Sequence, residues 1–215
     1  LAVKNIADIC SQEGCWLIHV STDYVFDGNS KVPYKEDDQT NPQGAYGETK
    51  LKGELAIQAS GCKYIIIRTA WVFSEYGNNF LKTMLRLGAE RDELSIVGDQ
   101  IGCPTYAQDI AGSIVAIVPQ LNSREYHGIY HYCGDQPCSW FEFAKEIFDY
   151  INKYDHISIP IIKAVTTEEY PTLAERPKFS VLDNKKIQEN FDIFSSDWKV
   201  GVESSLKKVV KGSCI

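Results

Sequence analysis

The residues best suited to chemistry in this chain are Tyr46 and Lys50, within Tyr46-Gly47-Glu48-Thr49-Lys50. Positions four apart on a helix lie one above the other, so the phenol and the ammonium share one space. A free tyrosine, with a pKa near 10, is a poor acid or base at neutral pH. A neighbouring ammonium favours the phenolate and lowers that value. Such a tyrosine can give a proton to a carbonyl oxygen or take one from a hydroxyl. This spacing arises often by chance, so it needs company.

Company comes from both sides. Upstream, Val20-Ser21-Thr22-Asp23-Tyr24-Val25-Phe26-Asp27-Gly28 follows an apolar run. If that run is a strand, Ser21 and Thr22 stand at its carboxyl end, where ligands bind in open parallel sheets. A hydroxyl there can bond a substrate oxygen or tune the tyrosine, although Ser, Thr and Asp also favour plain turns. Downstream, Arg68-Thr69-Ala70-Trp71-Val72-Phe73 again puts polar and aromatic groups at a strand end. Asn78-Asn79 suits a helix cap, with a substrate contact as the alternative. The fork of Arg176 matches phosphate oxygens, and a surface ion pair is the competing reading. Asp109 is read as structural. His127, His131 and Cys133 alternate along one strand face, but no fourth ligand is spaced nearby, so a metal site is not expected.

These groups must be carried by alternating strands and helices. The periodicity predicts helices over Leu1–Cys10, Gly44–Ala59, Asn78–Glu90, Thr105–Val118, Trp140–Ile151 and Val202–Val210. Leu51, Leu55 and Ala59 are expected to share the packed face of the second. Apolar runs predict strands at Cys15–Val20, Lys63–Thr69, Leu94–Val97 and Ile129–Cys133. After residue 155 short extended pieces alternate with Pro160, Pro171 and Pro177. The fold class is therefore α/β, a doubly wound parallel sheet with helices on both faces. Such sheets open with a strand, a glycine-rich turn and a helix. No G-x-G-x-x-G or G-x-x-G-x-x-G occurs here. The expectation is a C-terminal portion whose missing half-sheet would be on the order of 60 to 90 residues. Residues 1–73 and 104–120 are assigned to the remaining half of a dinucleotide-binding domain. Residues 74–103 and 121–215 are assigned to a smaller interleaved substrate domain.

Composition narrows the partners. The 215 residues are 44% hydrophobic and 24% charged, with a net charge of -7. That balance speaks against nucleic acid. No apolar run approaches the roughly 18 residues of a membrane span, so no membrane partner is expected. Seven cysteines, an odd number without a C-x-x-C pair, suit reduced thiols and a cytoplasmic setting.

In order, the chain reads S-T-D-Y-V-F-D-G, Y-G-E-T-K-L-x-G-E, R-T-x-W-V-F, G-N-N-F, D-Q-x-G-x-P-T and R-P-x-x-S-x-L-D. This set, spread over residues 1 to 211, resembles the dTDP-4-dehydrorhamnose reductase family of extended short-chain dehydrogenase/reductases. The resemblance implies hydride transfer from NADPH or NADH to the C4 ketone of a dTDP-sugar, giving dTDP-L-rhamnose for surface polysaccharide. It implies that Tyr46 donates the proton, that Lys50 bonds the nicotinamide ribose, and that Thr22 completes the triad. Val20 and Ser21 would line the cofactor with Tyr46 and Lys50. Thr22, Asp23, Trp71, Asn79 and Arg176 would contact substrate. Some members are magnesium-linked homodimers, but no ligand set is found here. The glycine turn has no counterpart, which leaves pyrophosphate binding unassigned. Related dehydratases carry Thr-Asp-Glu where this chain has Thr22-Asp23-Tyr24, which favours plain reduction. The alternatives are another sugar-nucleotide oxidoreductase or epimerase, or a non-catalytic regulatory subunit resembling that of methionine adenosyltransferase.

Overall fold

The computed structural model describes residues 2–122, 126–154, 159–171 and 176–210. In chain order the strands are β1 (Trp16–Thr22), β2 (Lys63–Thr69), β3 (Val72–Phe73), β4 (Glu93–Val97), β5 (Ile101–Gly102), β6 (Thr105–Tyr106), β7 (Gly128–His131), β8 (Cys138–Ser139) and β9 (Ile161–Val165). The helices are α1 (Ala2–Glu13), α2 (Ala45–Ala59), α3 (Phe80–Glu90), α4 (Ala107–Ile117), α5 (Trp140–Tyr154), α6 (Lys185–Phe191) and α7 (Trp198–Val210).

The central sheet has the order β1-β2-β7, all parallel, with Trp16 opposite Lys63 and Thr22 opposite Thr69. The run Tyr64-Ile65-Ile66-Ile67 serves both faces because successive strand side chains point opposite ways. Ile66 packs with Ala7, Ile57 and Cys62 under α1 and α2. Ile65 and Ile67 pack with Ile110, Ile117, Ile187 and Phe191 under α4 and α6. Helices thus cover both faces, as parallel sheets require.

A second core gathers α3, α5 and α7 around β4, with Leu81, Met84, Leu94, Phe143, Ile147, Trp198 and Leu206 buried together. Here β4 pairs in parallel with β9, while β3 pairs with β6 and β5 with β8.

Three expectations are corrected. First, α2 does not pack through Leu55 and Ala59: Leu55 is 54% exposed, and the buried positions are Gly47, Glu54 and Ile57. A polar residue, Glu54, occupies the inward face, which an apolar-periodicity reading passes over. Second, the stretch 121–215 is not all second domain. Gly128–His131 completes the first sheet, and α6 packs beneath it through Ile187 and Phe191. Third, α6 was not expected, and α7 begins four residues earlier than expected, at Trp198. At seven residues, α6 is too short for a clear 3.6 periodicity, and its apolar contribution is only Ile187 and Phe191.

Candidate active site

The site forms at the carboxyl ends of β1 and β2. After Thr22 the chain turns through a short 3-10 segment, Asp23–Val25, capped by the Thr22 hydroxyl, which accepts from the Tyr24 N–H at 3.2 Å. The same hydroxyl donates to Asp23 Oδ1 at 2.9 Å. Asp23 is buried, and its Oδ2 has no hydrogen bond of normal geometry among the described residues. Burial pushes its carboxyl up to about 7, against the opposing pull of the Thr22 and Ser180 hydroxyls. Nearby, Thr69 Oγ1 at the end of β2 is also buried without a partner. Both atoms lie at the carboxyl end of the parallel strands, the end where such sheets bind their ligands.

Helix α2 lies across this end. Its second residue, Tyr46, is 58% exposed, and its ring meets Tyr24 edge-on at 5.6 Å. Gly47 makes the approach possible: a Cβ there would stand 2.2 Å from the Tyr24 carbonyl oxygen. Lys50 extends from the next turn, and its Nζ donates to the Val20 carbonyl at 2.6 Å. Burial lowers the Lys50 pKa, and the charge of Glu54 works in the opposite direction. Lys50 thus meets the Val20 backbone and Tyr46 the Tyr24 ring, at the strand end that carries Thr22 and Asp23.

The remaining candidates separate. Ser21 donates its hydroxyl to the buried Glu54 of α2, two turns along that helix from Tyr46. Asn79 caps α3: its Oδ1 accepts from Lys82 N, and its Nδ2 donates to the Ser74 and Tyr76 carbonyls. Those bonds engage its amide in the capping role that its position before α3 suggested. Asp109 accepts from Ser196, a structural contact. His127 packs on Tyr64, while His131 is buried against the Tyr34 carbonyl. Among the described residues no three His, Cys, Asp or Glu side chains are grouped to hold a metal.

Trp71 takes a left-handed backbone, φ +49, rare for a bulky residue and worth on the order of 1–3 kcal/mol of strain. Its indole stacks on Trp140 at 3.5 Å. It also lies over Gly102, where a Cβ would meet it at 2.4 Å. Trp140 went unassigned in the sequence because it reads as the first apolar residue of α5. Its neighbours also include Phe80, at 4.6 Å between ring centres, and Arg176, 6.0 Å from the ring centre. Trp140 and Arg176 border a cleft of about 520 Å³ that also includes Phe80, Gln100 and Tyr170. The strained Trp71 thus reaches this cleft through the ring of Trp140, on which it stacks.

The sequence model of the RmlD substrate binding domain matches residues 1–211. The chain belongs to that family. A dTDP-4-dehydrorhamnose reductase of Aggregatibacter actinomycetemcomitans is 46% identical over 200 residues, covering 92% of this chain and 68% of its own length. The crystal structure of a dTDP-4-dehydrorhamnose reductase from Clostridium acetobutylicum superposes with a TM-score of 0.88 at 39% identity, over 97% of this chain and 71% of that one. That of Bacillus anthracis, determined with NADP, gives 0.85 at 38%, over 96% and 70%. The α/β fold expected from the alternation of elements is the fold of these enzymes.

Proposed function

We propose that this chain carries the reducing centre for dTDP-4-dehydro-L-rhamnose, forming dTDP-L-rhamnose with a reduced nicotinamide cofactor. The observation that carries this reading is that α2 holds Lys50 against the Val20 carbonyl and Tyr46 against Tyr24, at the end of β1 where Thr22 lies. The NADP complex of the Bacillus anthracis relative favours NADPH as the reductant. The residues present fit the nicotinamide end: the Val20 backbone and Lys50 Nζ line an open strand end beside an exposed phenol. The pyrophosphate end has no glycine-rich turn in this sequence to receive it.

When bound, the cofactor supplies the hydride that adds to C4. Tyr46 delivers its phenolic proton to the C4 oxygen as negative charge develops there. Lys50, a turn along the same face, supplies positive charge beside the phenol and bonds the ribose. The Thr22 hydroxyl holds the C4 oxygen in reach of Tyr46. Asp23 Oδ2 is free to accept from a sugar hydroxyl. Trp71 and Trp140 wall the sugar, and Arg176 meets a phosphate of the dTDP group. Residues 2–73 and 104–120, with β7 and α6, form the cofactor part, and the α3, α5 and α7 core the substrate part. A substrate pair made of nucleotides places the reaction in the cytoplasm.

The intact set Thr22, Tyr46 and Lys50 favours an enzyme over a regulatory subunit, and Tyr24 in place of an acid favours reduction over dehydration. The test is Tyr46→Phe in the intact protein, with NADPH oxidation followed against the keto-sugar nucleotide. A proton donor contributes about 10²- to 10⁴-fold, so kcat falls by that factor while the sugar KM changes little. A fall of less than about tenfold would remove Tyr46 from the role.

A further inference from the structure

We propose that Glu54 is a positioning residue for the Tyr46–Lys50 pair: clamped by Ser21 and Arg68 across β1 and β2, its carboxylate fixes the depth and rotation of α2. This rests on the reductase reading above. Tyr46, Lys50 and Glu54 are four apart in succession and line one face of α2. Glu54 is fully buried. Ser21 and Arg68 are opposite residues of the paired strands, so the sheet offers both donors side by side. The Ser21 hydroxyl donates to Oε1 of Glu54. Arg68 Nε donates to Oε1 at 3.1 Å, and Nη2 to Oε2 at 2.7 Å.

Arg68 is itself held. Its Nη1 donates to the Glu36 carbonyl at 3.3 Å, and its guanidinium lies 5.1 Å from the centre of the Phe26 ring. It cannot follow the helix if α2 shifts. One turn earlier Lys50 bonds Val20, the residue before Ser21. Helix α2 is thus tied at two successive points to two successive residues of β1. Two ties on one face fix both translation and rotation, which one tie does not.

A buried ion pair is weak evidence for stability, because desolvation offsets much of the attraction. Apolar side chains would hold a helix to a sheet equally well. What the pair adds is a defined geometry and a fixed negative charge beneath Lys50. The groups facing Lys50 are Tyr46 and Glu54 on its own helix, His19 on β1, and Arg68 on β2 behind Glu54. Burial and the Lys50 charge both lower the His19 pKa, so His19 does not supply a second cation there. Glu54 then opposes the loss of the Lys50 proton that burial promotes.

The test uses the intact protein and two readouts: the pH dependence of kcat with NADPH and keto-sugar, and the pH dependence of Lys50 acylation by acetic anhydride, read by mass spectrometry. The variants are Glu54→Gln, the double exchange Glu54→Met with Arg68→Met, and Glu48→Gln as a control on the exposed face of α2. Removing the Glu54 charge favours the neutral amine. In Glu54→Gln the Lys50 acylation midpoint and the alkaline limb of kcat therefore move together to lower pH, and kcat falls about tenfold or more through misplacement. The double exchange restores stability but neither the limb nor kcat, and the control matches wild type. If Glu54→Gln does not fold, the double exchange decides. An unshifted acylation midpoint, or a double variant with wild-type kcat, would overturn the proposal. If the wild-type protein does not reduce the keto-sugar, the reductase reading fails, and the acylation midpoint still decides the role of Glu54.

Discussion

Asp23 shows what the site costs the fold. Its carboxyl is buried beside Thr22, and burial raises its pKa from the ordinary carboxylate value to about 7. A raised carboxylate pKa means that the folded state holds a proton which the unfolded state has released. Between about pH 4 and 7 this group therefore subtracts stability as pH rises, by roughly 4 kcal/mol at most. Asp23→Asn should accordingly be more stable than wild type at pH 8, with the advantage shrinking to nothing near pH 4, and should reduce the keto-sugar poorly. Thermal melts at the two pH values check the first part and turnover the second. An advantage over wild type no larger at pH 8 than at pH 4 would mean that Asp23 is already well solvated in the native state. The placement of Thr22 and Asp23 at a strand end and of Tyr46 and Lys50 on one helix was legible in the sequence because helix spacing and strand-end position are local properties. Glu54 was not, since its importance depends on Ser21 and Arg68, 33 and 14 residues away. Its position eight residues after Tyr46, on the same helical face, was the available signal.

At the scale of elements, the long connection from β1 to α2 is held down by the edge of β7. Glu36 accepts from His131 N at 3.0 Å, Arg68 donates to the Glu36 carbonyl, and the His131 ring meets the Tyr34 carbonyl at 3.1 Å. Burial, and then the charge of Arg68, lower the His131 pKa to about 3. The unfolded chain takes up this proton below about pH 6.5 while the folded chain does not, so stability is lost as pH falls through that window. By pH 4 the loss is about 3 kcal/mol. His131→Asn, which keeps a donor for the Tyr34 carbonyl, should flatten the fall in denaturant midpoint between pH 7 and 4. A variant with the wild-type acid slope would assign that slope to other groups. Long periodic elements such as α2 and β2 were readable within a residue or two. The two-residue strands β3, β5, β6 and β8 were not, because pairs such as Val72-Phe73 acquire strand character only from a distant partner. The pairing of β4 with β9 likewise joins residues 68 positions apart, as Glu93 and Ile161 show.

Across the whole molecule, a third buried cluster joins the two parts. Val25 and Phe26 after β1 and Ala70 after β2 pack with Cys103, Cys133, Val181 and Leu182, and with Trp71, Ile101 and Phe179 at its margin. The segment that follows Arg176 therefore runs from the cleft straight into the core beside the central sheet. Trp71 belongs to this cluster and to the second core alike. Two parts sharing a core and a stacked aromatic should unfold together rather than in sequence. A ligand of the cleft would then stabilise the entire chain. At a concentration of about 100 times its Kd, dTDP should add about 2.7 kcal/mol, which for a protein of this size raises the midpoint by roughly 5–10 °C in one transition. Arg176→Ala removes the cation beside Trp140 and should cost about tenfold in dTDP affinity, as expected for a hydrogen bond to a charged group. Scanning calorimetry of both proteins with and without dTDP reads the two effects at once. Two resolved transitions, only one of them moved by dTDP, would show that the shared cluster does not couple the parts. Equal shifts in wild type and Arg176→Ala would take the phosphate away from Arg176 while leaving the coupling intact.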